Sequence, residues 1–136
     1  MNTDLPAPTG QLTHLPKPAE RRLALHVSRE AERALRGGHP WLFDNSIERQ
    51  SHAGNPGDLA VVFDQKRRFL AVGLYDPTSP LRLRVLQQGT PATIDQAWLL
   101  TKVQAAAQLR APLPKDRTTG YRLLHGENDG LPGLVV

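Results

Sequence analysis

The amino-acid sequence predicts an α+β fold in which a small, mostly-β barrel with one short helix precedes a longer helix and the first strands of a second unit. Three observations carry this prediction. Short apolar runs bounded by turn residues recur between positions 23 and 86, a capped helical segment interrupts them early, and an Ala-, Leu- and Gln-rich stretch begins at position 94. With 136 residues, the chain can form one domain of ordinary size or a small domain and part of another.

The barrel is predicted to begin with a strand followed by a short helix. Apolar residues alternate from Leu23 to Val27, which is typical of a half-buried strand. Ser28 is a candidate N-cap, Glu30 falls in the first turn, and the pair Gly37 and Gly38 provides a stop. The signals predict a helix over residues 29–36.

The faces of this helix differ in character. An apolar stripe that should face the core contains Ala31, Ala34 and Leu35. Three arginines spaced four and three residues apart form a basic ridge on another face, namely Arg29, Arg33 and Arg36. This ridge is a candidate contact for a polyanion.

Three further strands complete the predicted barrel over residues 21–88. The runs at 58–64 and 68–76 flank the polar segment "QKRR", so they should pair as an antiparallel hairpin. The run at 80–86 places Arg82 and Arg84 on one strand face. These two arginines could track a phosphate backbone or pair with Asp58, Asp64 or Asp76 from neighbouring strands.

The segment "GGHPWLF" after the helix allows two interpretations. Backbone amides at Gly38, the charge of His39 and the face of Trp41 could contact the phosphates and bases of a nucleic acid together with Arg36. Alternatively, the glycines end the helix and Trp41 fills the barrel core with Phe43. We favour the core for Trp41 and leave both roles open for the other residues.

The hairpin tip holds a basic triplet, Lys66, Arg67 and Arg68. Such a triplet is often a solvated turn, and contact with a nucleic acid is the alternative. The net charge of +4 and the calculated pI of about 10.0 favour a polyanionic partner without requiring one.

The second unit starts at "TIDQ", where Thr93 and Gln96 match a capping box, and a helix over 94–110 should follow. Apolar residues lie on more than one side of this helix, while "YRLLHG" (121–126) is a predicted strand that offers little cover. We therefore expect exposed apolar surface or self-association through the 94–110 helix.

The composition excludes several classes of site. The sequence has no cysteine, which rules out disulfides, thiolate metal sites and a cysteine nucleophile in this chain. It also has neither a signal peptide nor an apolar run of membrane-spanning length, so we expect a cytoplasmic location and no membrane contact. The Pro-rich stretch at 1–20 is predicted to be disordered.

Enzyme motifs are weak. The histidines lack metal-ligand spacing, and the sequence contains no P-loop and no G-x-G. His125, Glu127 and Asp129 could form an acid, base or metal cluster, which is the basis of a hydrolase hypothesis. We favour a simple turn at 128–130 with Glu127 solvated.

Three segments together resemble one known family. "HPWLFDNSI" (39–47), "LAVGLYDPTSPLRLRVL" (70–86) and "YRLLHGENDGLPGLVV" (121–136) resemble, in order and spacing, the N-terminal portion of the RlmI-type class I methyltransferases. These enzymes modify cytosine C5 in large-subunit ribosomal RNA. The resemblance covers residues 22–136, and "GENDGLPGLVV" is its most specific part.

The resemblance implies a PUA-like RNA-binding domain over 21–88 and the start of a truncated central β-rich domain over 89–136. It also implies a Rossmann-type domain that binds S-adenosylmethionine in the full-length parent and is missing here. Chemistry in the family uses a cysteine thiolate that adds to C6 of a flipped cytosine. This chain has no cysteine and no glycine-rich donor-binding turn, so it is expected to hold no catalytic and no cofactor-binding residue.

The leading hypothesis is the RNA-binding N-terminal part of a SAM-dependent, 5-methylcytosine-forming rRNA methyltransferase. The alternative is a stand-alone PUA-like adaptor module that binds RNA. In both cases the candidate RNA contacts are the residues introduced above, namely Arg29, Arg33, Arg36, Gly38, His39, Lys66, Arg67, Arg68, Arg82 and Arg84.

Overall fold

A computed structural model describes residues 19–136, so the predicted disordered tail lies, except for its last two residues, outside the described residues. The first part contains β1 (Leu23–Val27), α1 (Arg29–Arg36), β2 (Trp41–Phe43), β3 (Ile47–Gln50), β4 (Leu59–Phe63), β5 (Phe69–Tyr75) and β6 (Leu81–Gln88). The second contains α2 (Gln96–Arg110) and two 3-10 turns, Leu113–Asp116 and Gly126–Asp129.

The six strands form one curled sheet in the order β2-β6-β5-β4-β1-β3. β1 and β4 are parallel, and the other neighbouring strands are antiparallel. The predicted hairpin is confirmed as β4 and β5, joined by the segment 64–68. The fold class is therefore confirmed as a mostly-β half-barrel with helices.

Helix α1 covers one face of the sheet and keeps its predicted limits. The Ser28 hydroxyl oxygen accepts a 3.2 Å hydrogen bond from the Ala31 backbone N–H, and Gly37 ends the helix. Ala31 and Leu35 are buried in the main core, but Ala34 is exposed, contrary to the predicted inward stripe. Only part of the apolar stripe of this short helix is therefore buried against the sheet.

The core interpretation of Trp41 and Phe43 is wrong. Leu42 is the buried residue of β2, whereas Trp41 is half-buried and Phe43 is 40% exposed. Alternate residues of a strand point to opposite faces, so burial of Leu42 turns both aromatic side chains away from the core.

Helix α2 begins later than the capping-box motif predicts. Asp95, rather than Thr93, is the N-cap, and its carboxylate accepts a 2.8 Å hydrogen bond from the Trp98 backbone N–H. A carboxylate also interacts favourably with the positive end of the helix dipole.

No α-helix within residues 19–136 combines the length and apolar character that crossing a membrane requires.

The segment after α2 covers more of this helix than its composition suggests. Trp98, Val103 and Ala106 pack in a second cluster against three leucines of the following segment, Leu123, Leu124 and Leu131. Leu99 nevertheless remains 41% exposed. The expectation that the segment after α2 offers the helix little cover is therefore wrong for Trp98 and Val103.

The predicted strand at 121–126 is reduced to one isolated bridge between His125 and Val135. Backbone bonds also join Leu124 to Val136 and Gly126 to Leu134. Between these arms lies the 3-10 turn Gly126–Asp129, followed by Gly130 with a φ of 72°. The predicted turn is therefore confirmed, because the chain reverses its direction here. The arms on either side are too short to form regular strands.

Candidate nucleic-acid interface

A basic groove lies between α1 and the turn that joins β4 to β5. Its volume is about 560 Å³, and five cationic side chains line it together with Glu32 and Gln65, namely Arg29, Arg33, Arg36, Lys66 and Arg68. The ridge on the helix and part of the basic triplet, which are separate in sequence, thus face one another. We refer to these seven residues as the α1 groove.

Asp64, at the end of β4, organises one wall of the α1 groove. Its carboxylate accepts hydrogen bonds from Arg36 at 2.8 Å and from Arg68 Nε at 2.9 Å, and the residue is 1% exposed. It also accepts from the backbone N–H groups of Lys66 and Arg68. Asp64 therefore fixes the turn and two arginines at once.

The same contacts affect the titration of this carboxyl group. The backbone hydrogen bond from Arg68 is the largest cause that lowers the pKa of Asp64, and the Arg68 side chain adds to it, while burial opposes both. The carboxylate therefore stays ionised at neutral pH and partly offsets the positive charge of the groove.

The cations of the α1 groove fall into two groups. Arg36 and Arg68 are held by carboxylates, since Arg36 also contacts Glu32 at 3.0 Å. Within residues 19–136, by contrast, no carboxylate lies within 4.0 Å of Arg29, Arg33 or Lys66. These three side chains are available to an external anion.

Five of the ten predicted contacts lie outside the α1 groove, and three of these, Arg67, Gly38 and His39, are near the turn or the link after α1. Arg67 projects on the other side of the turn, beside His26 and Arg49. Gly38, with a φ of 92°, and His39 lie in the exposed link between α1 and β2. His39 there forms a surface cluster with Trp41 and Phe43, at ring-centroid distances of 6.0 and 6.5 Å.

Arg82 and Arg84 on β6 have protein partners other than the aspartates considered from sequence. Arg82 lies 3.6 Å from the Asp44 carboxylate and donates to the Pro77 carbonyl at 2.7 Å. Arg84 lies 3.2 Å from Glu127. Both are therefore less available to RNA than the free cations of the α1 groove.

The acidic residues of the final turn hold the structure together. Asp129 accepts two hydrogen bonds from Arg110, at 3.0 and 2.8 Å, and one from the His125 backbone N–H. Glu127 is not simply solvated, because it accepts from Trp41 Nε1 at 2.6 Å and from Arg84. In the part of the chain that is described, no group of three His, Asp or Glu residues is arranged to hold a metal ion.

Sequence reasoning missed the central role of Asp64 and did not consider Arg49. An Asp that opens a short hairpin turn and precedes several basic residues is the signal for the first, because its side chain can bond the backbone two residues on. Arg49 gives no local signal, since only strand pairing brings it beside His26.

Comparison with known proteins is consistent with this geometry. Residues 25–88 match the PUA-like domain family. A Deinococcus radiodurans protein named ribosomal RNA large subunit methyltransferase is 51% identical over 126 residues, which cover 89% of this chain and 31% of that protein. A Photobacterium profundum protein named ribosomal RNA large subunit methyltransferase I is 35% identical over 115 residues, 83% of this chain and 29% of its own length.

Solved structures agree in fold. A Streptococcus mutans protein described as a SAM-dependent methyltransferase aligns with a TM-score of 0.63 and 14% identity, over 82% of this chain and 29% of its own. SMU.776, described as a methyltransferase complexed with SAH, aligns with a TM-score of 0.68 and 16% identity over the same shares. The chain thus spans about a third of the length of these relatives. Residues 25–88 are a PUA-like domain, and the chain is homologous to the N-terminal region of the ribosomal RNA large subunit methyltransferases.

Proposed function

We propose that this chain is the RNA-binding N-terminal part of a SAM-dependent rRNA methyltransferase and that the α1 groove contacts the RNA backbone. The observation that carries the proposal is the concentration of free cations, Arg29, Arg33 and Lys66, in one groove of the PUA-like domain. The names of the relatives supply the class of RNA, which is ribosomal RNA of the large subunit.

The electrostatics of the α1 groove suit a phosphate backbone. Phosphate contacts from Lys and Arg dominate the affinity of nucleic-acid-binding proteins because each contact releases condensed counterions. The side chains of Arg36 and Arg68 remain 47% and 63% exposed while bonded to Asp64, so their remaining N–H groups can also face an anion. The groove is therefore suited to RNA without regard to sequence, and selection of the target base falls to other contacts.

We infer that the S-adenosylmethionine site of the parent protein lies outside residues 19–136. Such a site is built where a glycine-rich turn joins a strand to a helix. Here Ser28 alone connects β1 to α1, and the connection from β6 to α2 at residues 89–95 contains one glycine. We therefore propose that the methyl donor binds to the part of the parent protein that corresponds to the remaining two thirds of its relatives.

The finer proposal is that the parent forms 5-methylcytosine. It rests on the resemblance of "GENDGLPGLVV" to the cytosine-C5 enzymes, in which a cysteine attacks the base. This chain contains no cysteine, so the attacking thiolate would come from outside these 136 residues. We also propose a domain boundary near residues 88 and 89, with the PUA-like domain at 21–88 and the start of a central domain at 89–136.

Salt-dependent RNA binding tests the role of the α1 groove. The triple variant R29Q/R33Q/K66Q removes the three free cations and leaves the contacts of Asp64 in place. Its affinity for a fragment of large-subunit rRNA should fall roughly 10-fold or more at low salt, and the slope of log affinity against log salt should become shallower by about 2. Fluorescence anisotropy at several salt concentrations measures both quantities.

The matched control is K115Q/R117Q/R122Q, which removes the same number of charges from the segment after α2. Its binding should stay within about 2-fold of wild type because a distant surface charge acts only through a screened field. Equal losses in the two variants, or no binding of the unmodified chain even at low salt, would refute the groove as the RNA contact.

Mass spectrometry of ribosomal RNA tests the proposed modification. Inactivation of the gene for the parent protein should remove one 5-methylcytosine from large-subunit rRNA, and re-expression of the complete gene should restore it. Loss of methylation at a different base would contradict the cytosine-C5 assignment, and loss in a different RNA would contradict the assignment to large-subunit rRNA. The role of the α1 groove is tested separately by the binding experiment.

A further inference from the structure

A second cationic surface lies on the opposite side of the β4–β5 turn from the α1 groove. Strand pairing places Arg49 of β3 beside His26 of β1, and His26 beside Phe63 of β4. Partners in neighbouring strands point to the same face, so the three side chains form a row across the sheet. Leu25 and Val27, the sequence neighbours of His26, are fully buried, so this row is on the outer face.

The row has the components of a nucleotide contact. The imidazole of His26 stacks on the ring of Phe63 with centroids 5.5 Å apart and planes inclined by 24°. Arg67 of the turn and Arg49 border the same pocket, whose volume is about 340 Å³. This volume lies within the range of roughly 300–1,000 Å³ that small-molecule sites occupy.

The arginines of this pocket are free, whereas its carboxylates are engaged. Within the described residues, no carboxylate lies within 4.0 Å of Arg49 or Arg67. Asp64 is bonded to Arg36 and Arg68 on the other side of the turn, and Glu48 accepts from the Gln65 amide at 3.2 Å. An external anion would therefore meet unpaired guanidinium groups.

The pKa of His26 also reflects the positive charge of this pocket. Burial is the largest cause that lowers the pKa of His26, and the charges of Arg49 and Arg67 lower it further. Two cations thus lie close enough to the ring to lower its pKa, and a bound phosphate would compensate their charge.

The two basic surfaces are continuous across the turn. Gln65 lines both of them, and its side chain is fixed by hydrogen bonds to the Val27 carbonyl and to Glu48. We propose that His26, Arg49 and Arg67 form a second RNA subsite, so that one RNA strand leaves the α1 groove, crosses the turn at Gln65 and places a phosphate between Arg49 and Arg67. This inference rests on the proposed function.

Two variants test the second subsite without threatening the fold. Arg67 has a φ of 61°, a conformation that favours glycine, so R67G removes the charge and relieves the backbone. R49Q removes the other charge from an exposed side chain. The double variant R49Q/R67G should bind a long rRNA fragment roughly 10-fold more weakly at low salt, with a slope shallower by about 1.4.

The control is K115Q/R117G, because Arg117 is also exposed and also has a φ of 61°. Its RNA affinity should match that of the unmodified chain. In addition, the His26 imidazole signals in NMR spectra should shift on titration with the long fragment. An oligonucleotide of only a few nucleotides, able to fill the α1 groove alone, should bind wild type and R49Q/R67G equally.

The outcomes separate this inference from the proposed function. If R29Q/R33Q/K66Q weakens binding while R49Q/R67G does not, and His26 does not shift, the second subsite is refuted and the α1 groove stands. If the unmodified chain binds no RNA at low salt, both the second subsite and the role of the α1 groove are refuted. Weakening by both variants, with the length dependence described, supports both.

Discussion

The indole Nε1 of Trp41 donates a 2.6 Å hydrogen bond to the Glu127 carboxylate, across 86 positions of sequence. The same carboxylate lies 3.2 Å from Arg84. Trp41 and Arg84 belong to paired strands of the PUA-like domain, and they are register partners. Glu127 belongs to the turn after α2, so this contact joins the curled sheet to the segment that follows it.

Replacing Glu127 by alanine should loosen this connection. The change leaves the indole N–H and the Arg84 guanidinium without an acceptor, and the partial exposure of all three groups limits the cost to about 1 kcal/mol. Urea unfolding measures the loss, and the indole N–H signal of Trp41 in NMR spectra should move. The signal of Trp98, which bonds Gln87 instead, is an internal reference.

The variant E127Q separates the two contacts of Glu127, because it keeps an oxygen acceptor for Trp41 and removes the charge that faces Arg84. The Trp41 signal should move less than in E127A. The exposed residue Glu20 provides a control in E20A, which should leave both signals unchanged. An E127A spectrum identical to that of wild type would contradict the contact.

Asp64, which fixes two arginines of the α1 groove, should be more sensitive to substitution than the residues that line the groove. D64A would leave two backbone N–H groups and two guanidinium groups without their shared acceptor, and we expect a loss of about 3 kcal/mol in the free energy of unfolding. Chemical denaturation tests this value. D116A, which removes an exposed aspartate, should cost under about 0.5 kcal/mol, and equal losses in both variants would be inconsistent with the role of Asp64.

Local signals explain the parts of the fold that could be predicted. Ser28 and Gly37 bracket α1, and the polar turn between two apolar runs identifies the hairpin of β4 and β5. The other parts of the fold could not be predicted because they depend on contacts between distant segments of the chain. Burial of Leu42 decides the face of Trp41, and the N-cap of α2 depends on a choice between Thr93 and Asp95, both of which are good caps by residue type.

The candidate site, too, contains features that local sequence predicts and features that depend on tertiary packing. The spacing of the arginines along α1 predicts the ridge, because residues three and four apart share a helix face. That the ridge faces Lys66 and Arg68 depends on the packing of α1 beside the turn and on the contacts of Asp64. The pairing of His26 with Arg49 follows from strand register, which residues so far apart in sequence do not reveal.

Stability should decrease in acid because of Asp64 and Asp129. Hydrogen bonds from Arg110 are the largest cause that lowers the pKa of Asp129, and the Arg68 backbone N–H has that role for Asp64. Both folded pKa values lie below the ordinary value of 3.8, so their contribution is complete above pH 3.8 and is lost as pH falls through the folded values. Thermal unfolding from neutral pH to about pH 2.5 should show a falling melting temperature.

D129N should flatten this acid dependence, because an amide has no proton to gain. Its melting temperature should be lower than that of wild type at neutral pH, and the two curves should converge in acid. Parallel curves would show that Asp129 contributes nothing to the linkage. D116N, at an exposed position, should follow the wild-type curve throughout.

Self-association through α2 stays a prediction, with a narrower basis than the sequence alone suggests. Trp98 and Val103 are covered by the following segment, whereas Leu100 and Leu109 are 53% and 74% exposed. Exposed leucines of this size favour contact with a second apolar surface. Sedimentation velocity should therefore show an average mass that rises with protein concentration.

L100K/L109K should shift the chain toward the monomer, because each lysine would have to be desolvated in an apolar contact. T90K/T119K adds the same two charges to exposed polar positions outside α2 and controls for general repulsion. Its mass distribution should match that of wild type. A wild-type chain that remains monomeric at all concentrations, or an equal effect of both double variants, would count against an interface formed by this helix.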